Sequence, residues 1–232
     1  MSVQKRISAT DLDAYAYYLK TQDAEPDDEK PDPYVMTFDE LATRLLRRGE
    51  PTDRMIYGTL FHSVIEQAIP AGYVQDEVDD VLFDWGVELD IPGEHVRTEV
   101  PIPHYEVDVD CEPVRLSGRI DGLDELSRVV WEFKTTGYAH GVEERYRDKM
   151  QWRVYLLATG YERAVYGVWG LGKPRKKKSK TGATVIGVNN SARYEFRAYD
   201  GMEDDVANLV REMTWHMDHE LPEYWERTEH HA

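Results

Sequence analysis

One cysteine, Cys111, stands among 232 residues, so the chain closes no disulfide within itself and cannot alone ligate an iron–sulfur cluster. Any metal it uses must rest on oxygen and nitrogen donors. No stretch approaches the ~20 apolar residues of a membrane-spanning helix. The opening residues, MSVQKRISATDLDAYAYYLK, lack an apolar run bounded by a small-residue cleavage site. A soluble, cytoplasmic protein with no membrane partner is expected. Positive charge is scarce as well: 28 Lys and Arg face 45 Asp and Glu, a net charge of −17, which opposes non-specific attraction to a polyanion and also suits a high-salt interior. The cations present are concentrated, however. Lys173, Arg175, Lys176, Lys177, Lys178 and Lys180 fall within eight positions, and a local field outweighs global charge within a Debye length of ~8 Å.

The length suits one domain with appended helices. We expect an N-terminal helical segment over 1–50 and a core over 51–232 that carries the basic loop 173–180 and a C-terminal helix. The acidic, proline-bearing stretch 23–33 reads as a loop. Thr37 and Glu40 form a capping-box pattern ahead of Leu41, Leu45 and Leu46. Helical spacing recurs over 58–69 and again over 74–88, where Val78, Val81, Leu82 and Trp85 share one side. From His95 the period becomes two: Val96, Thr98, Val100 and Ile102, then Leu116, Gly118 and Ile120, then Val129, Trp131 and Phe133. A helix over 142–158, a strand over 165–169, strands over 184–188 and 194–198 and a helix over 203–220 follow. Helices, a β-meander, a crossing helix and further strands predict an α/β fold with a central mixed sheet flanked by helices.

A hairpin turning about Leu126 and Ser127 pairs residues whose numbers sum to 253, and so sets Asp121 opposite Glu132. Directly opposed side chains have Cβ atoms ~4.5–5.5 Å apart, close enough for two carboxylates to share a divalent ion. Lys134 projects from the same face as Glu132 because the strand period is two. Two carboxylates with a lysine beside them suit phosphodiester hydrolysis with Mg²⁺ or Mn²⁺. An arbitrary hairpin bearing the same letters would present merely solvated charges, so the flanking residues matter.

Those residues are informative. SGRIDGLDELSRVVWEFKTT resembles two motifs of the RecB-like and Cas4-like branch of the PD-(D/E)xK nucleases, with GRID at G-x-x-D and EFK at E-x-K. Gln151-Trp-Arg-Val-Tyr155 resembles the branch's Q-x-x-x-Y, and GTLFH, ending in His62, its G-x-x-x-H. Four motifs stand in family order between residues 58 and 155. The resemblance implies a restriction-endonuclease-like core and a metal bound by His62, Asp121, Glu132 and the backbone carbonyl of Phe133, with Asp121, Glu132 and Lys134 catalytic. Taken alone, His62 reads as an interior helix histidine beside Ile65 and Ile69. Glu66, one turn on, is a candidate partner for it. Glu99 sits where related nucleases carry a glutamate near the metal, although an edge-strand charge explains it equally. Gln151 and Tyr155 lie four apart with Arg147 one turn earlier, a stripe that either contacts DNA or supports the site.

Two departures narrow the class. The four cluster-binding cysteines of Cas4-like members are missing, so no iron–sulfur cluster is expected. No G-x-x-x-x-G-K-[ST] sequence occurs either, so unwinding would fall to a separate helicase or recombination protein. The expectation is a metal-dependent DNA exonuclease or end processor in recombination, repair or phage and mobile-element DNA metabolism, with the basic loop on DNA phosphates. A catalytically idle DNA-binding or partner-binding scaffold is the alternative. A carboxylate-pair glycosidase is disfavoured, since Lys134 and the basic loop would have no task in it.

Overall fold

A computed structural model describes residues 4–24, 34–88, 90–176 and 182–229. The chain begins with β1 (Arg6–Ser8), α1 (Ala9–Gln22), α2 (Phe38–Leu45) and α3 (Asp53–Ala71). A run of strands follows: β2 (Glu77–Val78), β3 (Val81–Trp85), β4 (Arg97–Pro101), β5 (Tyr105–Val109), β6 (Glu112–Ser117), β7 (Arg119–Asp124) and β8 (Val129–Thr136). Then come α4 (Glu143–Arg147), α5 (Met150–Thr159), β9 (Arg163–Leu171), β10 (Arg175–Lys176), β11 (Thr184–Arg197), α6 (Met202–Glu220) and α7 (Glu223–Glu229).

The main sheet runs β2-β3-β11-β9-β8-β7-β4, with β10 paired to β11, and a small sheet runs β1-β6-β5. It is mixed, because β8–β9 and β11–β3 are parallel while the other pairs are antiparallel. The alternation of β8 divides the core. Val129, Trp131 and Phe133 join Phe61, Val64 and Ile65 of α3 in one apolar cluster. Val130 joins Leu12 and Tyr15 of α1, Trp152 of α5 and Val206 of α6 in another. A central mixed sheet flanked by helices is thus the architecture that the alternating pattern predicted.

Four local expectations are corrected. Residues 74–88 form the β2–β3 hairpin and not a helix: Asp79 and Asp80 both take positive φ (47° and 60°), which two-residue primed turns require, and Val81 and Phe83 are buried alternately. The spacing of Val78, Val81, Leu82 and Trp85 fits either period over so short a run. The strand through 116–121 divides at Gly118 between two sheets, and a Cβ on Gly118 would lie 2.9 Å from the Tyr155 ring. The helix over 142–158 breaks between α4 and α5, where Lys149 takes extended backbone angles. The strands over 184–188 and 194–198 are one, β11, with an irregularity between Val188 and Asn190.

Candidate active site

The β7–β8 hairpin closes as the alternation predicts: Asp124 pairs with Val129, Leu123 with Val130 and Gly122 with Trp131, each pair summing to 253. Backbone pairing ends there. One residue further the Asp121 carboxylate accepts the Phe133 N–H at 2.7 Å, so a side chain takes the bond that the next rung would have supplied. Asp121 and Glu132 are 7% and 2% exposed, deep burial for two carboxylates side by side. Lys134 Nζ donates to Glu132 Oε1, while Glu132 Oε2 is buried without a partner among the described residues. Tyr166, the partner of Glu132 on β9, likewise buries a hydroxyl without a partner.

His62 reaches this group from α3, anchored because Phe61 and Ile65 on either side of it are fully buried. Its Nε2–H donates to the Phe133 carbonyl and lies 3.7 Å from Asp121 Oδ2. Its Nδ1 lies 3.4 Å from Glu66 Oε1. Burial disfavours a charged imidazole, but Glu66, Asp121 and the Phe133 carbonyl outweigh it and hold the pKa up to about 9. Burial and then the neighbouring Asp121 charge push the Glu132 carboxyl upward. Burial works against the Lys134 ammonium, yet Glu132 and Asp121 raise its pKa overall. The Asp121 and Glu132 carboxyl groups thus face an imidazole and an amine that both favour their charged forms.

That grouping bears on metal binding. Among the described residues no three His, Cys, Asp or Glu side chains alone converge on an ion-sized point. The donors present are an imidazole, two carboxyl groups and a backbone carbonyl, and the unpartnered Glu132 Oε2 is a buried oxygen lacking a counterpart. Hard oxygen donors with one imidazole suit Mg²⁺ or Mn²⁺. The residues fit such an ion.

Glu66 and Glu99 approach each other beside His62. Burial and then Glu66 raise the Glu99 carboxyl, whereas its bonds to His62 and Glu99 lower that of Glu66 against the effect of burial. Glu99 has φ 52° inside β4, an uncommon conformation for a residue with a side chain, and lies 3.5 Å from Arg119. Gln151 and Tyr155 turn inward. Gln151 Nε2 donates to the Tyr155 hydroxyl at 2.9 Å, and that hydroxyl donates to the Arg119 carbonyl at 2.7 Å. With Tyr155 only 1% exposed, it offers no face for a base; it braces β7 two residues before Asp121. Arg147 belongs to α4, pairs with Glu143 at 2.6 Å and does not share a helix with Gln151.

Two residues escaped the sequence reading. Asp13 of α1 accepts the N–H groups of Met150 and Gln151, capping α5 from a different helix. Lys149, 26% exposed, lies 3.6 Å from the same carboxylate. No local spacing signals a cap supplied from this far along the chain. Of the basic stretch, Lys173 and Arg175 are exposed, and Arg175 lies 3.7 Å from Asp84. The backbone of Lys176 pairs with Thr184. Lys177, Lys178 and Lys180 lie outside the described residues.

A profile of the PD-(D/E)XK nuclease superfamily matches residues 31–225. No curated protein matches the chain. Among solved structures, SSO0001 superposes with a TM-score of 0.52 at 16% identity over 93% of this chain and 78% of that one. A phage related exonuclease from Haemophilus somnus 129PT gives 0.44 at 7% identity, covering 99% and 97%. LHK-Exo, crystallised with dAMP, gives 0.42 at 14% identity, covering 97% and 94%. The first of these likenesses concerns the fold alone. Among the described residues no helix is long and apolar enough to cross a membrane.

Proposed function

The chain belongs to the PD-(D/E)XK nuclease superfamily, and from that premise we propose that it is a divalent-metal-dependent deoxyribonuclease. Within the superfamily we assign it to the RecB-like and Cas4-like branch, as an exonuclease or DNA-end processor of recombination, repair or mobile-element DNA metabolism. The observation that carries the reading is the buried, unpartnered Glu132 Oε2 beside Asp121, with Lys134 and His62 supplying the compensating charge.

His62, Asp121, Glu132 and the Phe133 carbonyl would hold Mg²⁺ or Mn²⁺, which when bound polarises the phosphoryl oxygen and lowers the pKa of the attacking water. Lys134, less buried than Glu132, donates to charge developing on the phosphoryl oxygens. Asp121 bridges β7 and β8 by accepting the Phe133 N–H, while the Phe133 carbonyl accepts from His62. Glu66 orients the imidazole through Nδ1. The exposed Lys173 and Arg175, with the cations that follow them in the sequence, contact DNA phosphates away from the reacting bond.

The test is incubation of end-labelled single-stranded, duplex and circular DNA with Mg²⁺ or Mn²⁺, with Glu132→Ala as control. Metal-dependent release of nucleotides from linear DNA, with circles spared and the control silent, is expected. Absence of cleavage under every condition would leave a DNA-binding scaffold and remove the enzyme.

A further inference from the structure

A cavity of about 940 Å³ opens between α1, α2 and α4, and two of its lining residues, Asp13 and Lys149, lie within electrostatic reach of Lys134. Its lining holds five cationic and three acidic side chains, an inverted balance in a chain of net charge −17. Two of the cations are already used: Lys20 pairs with Asp148 at 2.5 Å and Arg147 with Glu143 at 2.6 Å. Arg44 and Arg145 are exposed and make no ion pair among the described residues.

Lys149 forms the inner wall. Its nearest carboxylate, Asp13, spends Oδ1 on the Met150 and Gln151 N–H groups and stands 3.6 Å away through Oδ2, beyond hydrogen-bond range. Burial lowers the Lys149 pKa; Asp13 opposes it, and the smaller effects of Arg44, Lys134 and Arg145 act in the same sense as burial. Cations in this cavity thus repel one another, and Lys149 is close enough to Lys134 for their charges to oppose. An anion between them would relieve the repulsion.

We propose that this cavity binds backbone phosphates of the substrate strand flanking the bond to be cut, through Arg44, Arg145 and Lys149. The inference rests on the nuclease reading above and adds to it the route of the strand. A strand seated there crosses the face of α1, so the N-terminal helix forms one wall of the substrate channel although it precedes the residues matched by the superfamily profile. Arginines at the rim grip phosphates through paired N–H donors, and the lysine at the floor supplies a point charge.

The experiment measures binding of a short labelled single-stranded oligonucleotide, in Ca²⁺ to suppress cleavage, across a series of salt concentrations. Arg44→Ser/Arg145→Ser is compared with the parent and with Arg197→Ser/Arg211→Ser, which removes two exposed cations elsewhere. Loss of two phosphate contacts should weaken binding about tenfold or more and reduce the slope of log K against log salt by ~1.4, while the control pair retains the parental slope. Equal slopes for parent and cavity variant, with the parent binding and cutting DNA, would overturn the proposal and leave the nuclease reading standing. A parent that neither binds nor cuts would overturn both. Titration with a mononucleotide separates a strand from a free nucleotide: affinity matching that of the oligonucleotide would overturn the strand assignment.

Discussion

The two ends of the β7–β8 hairpin follow different rules. At the turn, Asp124–Val129 through Gly122–Trp131 pair by register, and Asp124 Oδ1 accepts the Ser127 N–H at 2.9 Å, so the polar groups are satisfied locally. One residue beyond Trp131 the ladder stops, Asp121 takes over the Phe133 N–H and Glu132 is left with a bare oxygen. The same two strands thus spend their hydrogen bonds on stability at one end and withhold them at the other. Opening a sheet by one rung frees a backbone carbonyl and gathers charge that the closed ladder would exclude.

Several substitutions would break or sharpen this contrast. The largest effect should come at the open end: Asp121→Asn and Glu132→Gln should each lower turnover by ~10³-fold or more. Each should also lose most of the rise in melting temperature that Mn²⁺ gives the parent. Calorimetric titration giving parental Mn²⁺ affinity in both would show that the two carboxylates do not share an ion. Lys134→Met should come next, with turnover reduced ~10²-fold or more at saturating metal and Mn²⁺ affinity undiminished, because a nearby positive charge is removed.

pH supplies a third test. The imidazolium of His62 is favoured in the fold, its pKa held up to about 9 against 6.5 when unfolded, so its contribution is complete below about 6.5 and is lost as pH rises through about 9. The raised Glu132 carboxyl acts in the same sense, since the folded state holds its proton longer. Metal-free melting temperature should therefore fall as pH rises across that window while Mn²⁺ affinity increases, and His62→Ala should flatten both trends. A metal-free stability that climbs from pH 6.5 to 9 would contradict the charge balance.

Smaller effects should follow at the supports. Asp13→Ala should cost ~1–2 kcal/mol by uncapping α5 and lower turnover several-fold through Gln151 and Tyr155. Asp13→Asn, which keeps an accepting oxygen, should restore much of both; equal defects in the two variants, read by thermal melts and kinetics, would show that charge and not the cap is what matters. Asp124→Ala at the closed end should cost ~1 kcal/mol and leave turnover unchanged, and a large kinetic effect there would erase the distinction between the two ends.

The sequence by itself determined the phase of β7 against β8 from Asp124–Val129 to Gly122–Trp131, because a slip of one residue would move every side chain of a strand to the opposite face. It equally determined the helix that carries His62, whose buried neighbours Phe61 and Ile65 recur at helical spacing. Only the tertiary structure decided the rest. Val78 to Trp85 satisfies both periods, and pairing of β3 with β11 selected the strand. Tyr155 occupies the space of the missing side chain at Gly118, where the two sheets part. Asp13 caps α5 across 137 positions, and Lys149 gains its cationic neighbours from α2 and α4. Periodicity encodes which face a residue presents, whereas the partner met on that face depends on how distant elements pack, and no local spacing records it.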